Sequence, residues 1–152
     1  MIGTTALDYT RHGFEVLRND EPDQGMARSV RIGIEAAEKT DADAVLIALA
    51  DMPRVTAAHI HRLFDASSGA DTVVASSDGC DPKPPALFGR GRFGFLKSLQ
   101  GDAGARDLVK AGRHVVTAPA ELIDVDTPEE LEALRALVHS PEAITRHPRP
   151  RG

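Results

Sequence analysis

Two aspartates stand where apolar runs give out. Asp51 follows VLIALA and is itself followed by Met-Pro, while Asp126 closes LIDVD just before TPEEL. A carboxylate at the end of a buried strand sits rigidly at the rim of a sheet. A hard cation such as Mg²⁺ takes one or two such carboxylates and completes its octahedron with phosphate oxygens and water. Pro53 restricts Met52 and so fixes how the chain leaves Asp51. Asp124 has the parity of Asp126, so both point to one side of a strand. Each acid also has a plainer reading. Asp51 is equally a turn former ahead of the next helix, and Asp126 a strand-end acid that favours the positive end of the helix after it.

Two other stretches can meet an anion. In GMARSVRIG, Gly25 permits a close approach, Ser29 lies in or near a first helical turn, and the helix start offers free N–H groups. In GDAGAR, Gly101–Arg106, Asp102 reads as a helix cap and Arg106 as a cation for an acidic substrate; an ordinary loop explains the stretch as well. His59 and His61 are two apart on an expected helix, point in different directions, and read as surface or partly buried residues. The single cysteine, Cys80, excludes an internal disulfide and a cysteine-built zinc site.

The elements that would hold these residues alternate in period. FEVL, Phe14–Leu17, and TVVAS, Thr72–Ser76, read as strands, as do HVVTA and LIDVD. The apolar run from Val45 reads as a strand buried on both faces, which predicts a parallel sheet covered by helices. Helices are expected from Val30 to Ala37, after the cap Thr56 with Ile60, Leu63 and Phe64, over Phe93–Leu99, and through Leu108 and Val109 to Gly112. DPKPPALF reads as a Pro-rich loop. The clearest helix is TPEELEALRALV, with Thr127 as cap, Pro128 at the first position, Glu130 completing a capping box, and Leu131, Leu134 and Leu137 as a buried stripe. Residues 139–152 read as a disordered tail.

The 152 residues fit one domain, with 41% hydrophobic content and almost no aromatic weight. A net charge of −5 argues against nucleic acid or an anionic membrane surface as the main partner. No signal peptide or membrane-spanning run is visible, so a cytoplasmic protein is expected.

Taken together and in order, GMARSVRIGI, VLIALADMPRVT, PPALFGRGRF, GDAGAR and IDVDTPEEL resemble the MobA-like nucleotidyltransferases. They are closest to the molybdenum-cofactor cytidylyltransferase branch, with GDAGAR as the branch mark. The resemblance implies a three-layer, Rossmann-like fold of the nucleotide-diphospho-sugar-transferase type with a mainly parallel sheet, and a partial MobA-like domain over residues 1–138. It implies that Asp51 and Asp126 bind Mg²⁺ and serve catalysis, with Asp124 as a substitute. Gly25, Met26 and Ser29 would lie along the nucleotide. Pro85 and Ala86, with Gly101, Asp102, Gly104 and Arg106, would border the acceptor. The implied reaction moves CMP from CTP, rather than GMP from GTP, to a pterin phosphate and releases pyrophosphate, with a molybdoenzyme as a further partner.

The family opens with a strand and a Gly-rich loop carrying an Arg and a Lys, and no such stretch occurs in this sequence. The chain is therefore expected to be N-terminally truncated, and to be strained, partner-dependent or aggregation-prone. Two other readings accompany the enzyme: a non-catalytic module that binds a cofactor or a partner protein, and a split enzyme whose loop comes from another chain. A nucleotidyltransferase for another phosphorylated acceptor is a further alternative.

Overall fold

The structure, a computed structural model, describes residues 9–101 and 105–139. Its centre is a sheet of four strands, β1 (Ala44–Ile47), β2 (Val73–Ser77), β3 (Pro82–Gly89) and β4 (Arg113–Val116), in the order β1-β3-β2-β4. β3 runs antiparallel to both β1 and β2, and β4 runs parallel to β2. Three strands thus share one direction, with β3 reversed between them. This is a mixed α/β sheet.

Two apolar layers enclose it. On one face α1 (Met26–Lys39), α3 (Phe93–Ser98) and α4 (Arg106–Ala111) pack Ile34, Phe93 and Leu96 against Ala75, Ala86 and Phe88. On the other, Leu63 of α2 (Ala57–Asp65) meets Val74 and Leu87. Alternate residues of β2 and β3 feed opposite layers, as the two-residue period of a strand requires. β2 is the strand buried throughout. The expectation for the Val45 run is corrected, because β1 lies at the sheet's edge and is only half-buried.

Three other expectations about strands change. DPKPPALF is not a loop but most of β3. Proline's fixed φ suits an extended chain, and its missing N–H is tolerated where a sheet is irregular. The pairing of β2 with β3 shifts register between Ala75 and Ser76, opposite Pro84 and Pro85, whose shared peptide bond is cis. Phe14–Leu17 is irregular and exposed, with no strand beside it among the described residues. LIDVD is also not a strand: a short 3₁₀ turn over Pro119–Leu122 leads into irregular chain.

The last helix, α5 (Pro128–His139), forms as its capping box predicts. Thr127 Oγ1 accepts from Glu130 N at 3.2 Å, and Glu130 Oε2 accepts from the N–H groups of Asp126 and Thr127 at 2.9 and 3.0 Å. Its leucine stripe is not buried, however. Leu131 and Leu137 are 38% and 56% exposed, and Leu134 between them is only half-buried. The expected disordered tail lies outside the described residues apart from His139, which is the last residue of α5.

Candidate functional site

β1 stops at Ile47, and Ala48–Ala50 carry the chain in a turn to Asp51, so the acid stands beyond the strand rather than at its last residue. Buried Met52 anchors the turn. The N–H of Val125 donates to the Asp51 carbonyl at 2.7 Å. That one bond ties the DMPR turn to the segment carrying Asp124 and Asp126. It brings together, as backbone neighbours, the acids that the sequence marked. All three are exposed. Among the described residues, the carboxylates of Asp51 and Asp126 have no hydrogen-bond or ion-pair partner, and no group of three or more His, Cys, Asp or Glu is arranged to hold a metal ion.

The donor chemistry, two carboxylates and no thiolate or imidazole, is that of a hard divalent cation. Mg²⁺ is commonly held by one or two carboxylates together with substrate phosphates and water, rather than by a protein cage. Two exposed acids on segments joined by a backbone hydrogen bond suit that role.

The stretch around Gly25 forms a second part of the site. Gly25 has φ 75°, a left-handed conformation that glycine adopts without a Cβ penalty, and α1 begins directly after it. Ser29 Oγ accepts from Asn19 Nδ2 at 3.0 Å. Met26, Ser29 and Val30 of α1 face Val45, Ala48 and Leu49 across a cleft of about 360 Å³, which runs along β1 toward Asp51. The N–H of Ala27 donates to the Gly101 carbonyl at 3.2 Å, and Arg31 donates to the carbonyls of Lys97 and Leu99. The start of α1 is therefore joined to the start of the GDAGAR stretch, where Gly101 also has a left-handed φ of 62°. Asp102 and Gly104 lie outside the described residues; Arg106 is exposed at the first position of α4.

Pro85 and Ala86 are both buried, and Ala86 is clasped between Ile47 and Ala75 in the sheet. What this stretch brings to the rim is Lys83. Its Nζ lies 2.8 Å from Asp78 Oδ2, and Asp78 Oδ1 accepts from the N–H groups of Cys80 and Asp81. Lys83 and these N–H groups hold the Asp78 carboxyl well below the usual carboxylate range. Asp78, with help from Asp124 and Asp81, holds the Lys83 ammonium above its ordinary value. Lys83 thus closes the β2–β3 turn through Asp78. The sequence offered a signal for it, the aspartate-rich turn DGCDPK, which reading DPKPPALF as a loop obscured.

Burial overturns one reading. His59 is not a surface or partly buried residue: it is 0% exposed, on the face of α2 that carries Leu63 four residues on. Its Nε2 is 2.7 Å from Ser76 Oγ, and Arg62 Nη2 is 3.2 Å from its Nδ1. Burial, followed by the charge of Arg62, lowers its pKa, with Glu121 opposing. No helix among the described residues is long and apolar enough to cross a membrane.

With this geometry in hand, likeness to known proteins becomes specific. Residues 3–117 match the MobA-like NTP transferase domain. The chain belongs to that family. The purine catabolism protein PucB of Bacillus subtilis is 36% identical over 76% of this chain and 58% of its own length. A phosphoenolpyruvate guanylyltransferase of Conexibacter woesei is 30% identical over 90% of this chain and 65% of its own. This MobA-like chain therefore spans less than two thirds of the length of either relative. Among solved structures, the Rv0371c homologue of Mycobacterium sp. strain JC1 is 28% identical with a TM-score of 0.56, over 73% of this chain and 57% of that one. A 4-diphosphocytidyl-2C-methyl-D-erythritol synthase, 17% identical with a TM-score of 0.58 over 76% and 68%, shares the fold. The nucleotidyltransferase fold expected from the sequence is thus found.

Proposed function

We propose that this MobA-like domain serves magnesium-dependent nucleotidyl transfer. A phosphate oxygen of a small acceptor attacks the α-phosphorus of a nucleoside triphosphate, and the bond to the β-phosphate oxygen breaks to release pyrophosphate. The observation that carries the reading is the bond from Val125 N–H to the Asp51 carbonyl, which joins the two acid-bearing segments beside a cleft that leads to the start of α1. Asp51 and Asp126 hold the metal, with Asp124 as a substitute. The ion acts as Lewis acid and template on the phosphates. Gly25, Met26 and Ser29 run along the nucleotide. The acceptor is assigned to Pro85, Ala86 and Gly101, with Asp102, Gly104 and Arg106 of the same stretch by family likeness. The domain occupies residues 1–138.

For the nucleobase and acceptor, GDAGAR favours CTP and a pterin phosphate in the cytoplasm, with a molybdoenzyme downstream. A second reading, GTP and phosphoenolpyruvate, is favoured by the name of the Conexibacter relative. A third, a non-catalytic binding module, predicts ligand binding that survives loss of the acids.

The test is pyrophosphate release on the full protein as its source makes it, with Mg²⁺ and either CTP or GTP, against both acceptors. Its intact mass, set against 16.2 kDa for this chain, defines the protein assayed. Transfer that falls about 10²–10³-fold in Asp51→Asn and in Asp126→Asn supports the reading, the scale expected for a preorganised charge-stabilising group. Turnover unchanged in both overturns it. Ligand binding without turnover, unaltered in both, selects the binding module.

A further inference from the structure

Opposite β2, residues Pro84 and Pro85 form a bulge. Ala75 pairs with Ala86 and Ser76 with Lys83, so the two prolines between them face no residue of β2. Neither has an N–H to give to a ladder. The carbonyl of Pro85 is buried there and takes its hydrogen bond from a side chain instead: Ser76 Oγ donates to it at 2.7 Å.

The direction of every following bond is forced. A hydroxyl has one proton, and a carbonyl only accepts. With that proton committed to Pro85, His59 Nε2 must donate to Ser76 Oγ. The ring therefore carries its proton on Nε2, leaving Nδ1 as an acceptor, and Nδ1 meets Arg62 Nη2, which only donates. Arg62 also donates to the carbonyl of Val116 and to Thr117 Oγ1. Thr117 in turn donates to Glu121 Oε1 at 2.7 Å, and Glu121 Oε2 accepts from Thr56 Oγ1 and Thr56 N at the cap of α2. The charged groups acting on the ring are Arg62 and Glu121. A proton on Nδ1 would face the Arg62 guanidinium with nothing to accept it.

We propose that His59 and Ser76 are positioning residues: they hold the Pro84–Pro85 bulge in place and so present Lys83 at the rim against Asp78, which we take as the acceptor side of the proposed site. This deepens the nucleotidyl-transfer reading and rests on it. Neither residue touches substrate. Both act through the carbonyl of Pro85.

The test needs no acceptor at first. In ¹⁵N-labelled full protein, the His59 ring is expected to be the neutral Nε2–H tautomer and to stay neutral as pH falls through 6.5, the ordinary imidazole value. An Nδ1–H tautomer, or a ring that gains its proton at the ordinary imidazole value, overturns the relay. Ser76→Ala is expected to displace the backbone resonances of Lys83 and Ala86 while those of α1 stay put. His59→Gln, whose amide still donates, should keep them near their native positions. Unmoved Lys83 and Ala86 resonances in a folded Ser76→Ala protein overturn the proposal. If Ser76→Ala fails to fold, the native ring titration and His59→Gln still decide it. In the transfer assay, Ser76→Ala should raise the acceptor KM about tenfold and leave the nucleotide Kd within about twofold. Equal losses for both ligands would mark a structural role and overturn the proposal. The relay seen by NMR in a protein without turnover would sink the activity reading alone.

Discussion

The C-terminal rim of the sheet has two halves built on different terms. On the β2 side each polar group answers another: Ser76 holds Pro85, His59 holds Ser76, Arg62 holds His59, and Asp78 holds Lys83. On the β1 side, Asp51 and Asp126 are exposed, their carboxylates have no partner among the described residues, and their segments meet through one backbone bond. The satisfied half is a fixture. The unsatisfied half presents charge with nothing spent on it, which suits groups that work only when a ligand arrives.

Substitution should separate the halves. The largest effect expected is on activity at the open half: Asp51→Asn lowers transfer about 10²–10³-fold while its unfolding midpoint in denaturant stays within about 0.5 kcal/mol of native. A large stability loss there would break the contrast. Leu87→Ala, beneath the fixture at a position with 0% exposure, should cost about 2–5 kcal/mol by chemical denaturation. His59→Ala should follow at about 1–3 kcal/mol, since it leaves Ser76 and Arg62 short of a partner. Thr56→Ala removes the hydroxyl that caps α2 through His59 N at 3.1 Å, and about 1 kcal/mol should go with it.

The smallest effect is a pH slope. His59 folds with its pKa lowered from 6.5, so the unfolded chain binds more protons. Stability contributed by the neutral ring is complete above about pH 6.5 and drains as pH falls below it. Glu121, held down by Thr117 and Thr56, and Glu130, held down by the N–H groups of Asp126 and Thr127, add a second loss below their ordinary value of 4.5. Melting temperature against pH should show both stages, and His59→Gln should flatten the upper one alone.

Helices were largely legible in the sequence because their signals are local. Thr56, Thr127, Pro128 and Glu130 are cap residues whose partners lie within four positions, and those helices start where expected. Strands depend on neighbours far along the chain. Nothing local reveals that the apolar run at Val45 lies at an edge, or that a segment with prolines at 82, 84 and 85 threads the middle of the sheet. The sequence marks the acids by type and position, but nothing local shows that their segments meet, since that depends on a bond from Val125 to Asp51. His59 was misread for a related reason. A histidine in a helix is ambiguous until the hydroxyl across the interface, Ser76, is known.

Because Pro82, Pro84 and Pro85 have no amide proton, Lys83 carries the only one in the first four residues of β3. Deuterium uptake at that amide is therefore a private clock for the rim: it counts openings of the bulge that no adjoining residue of the strand can report.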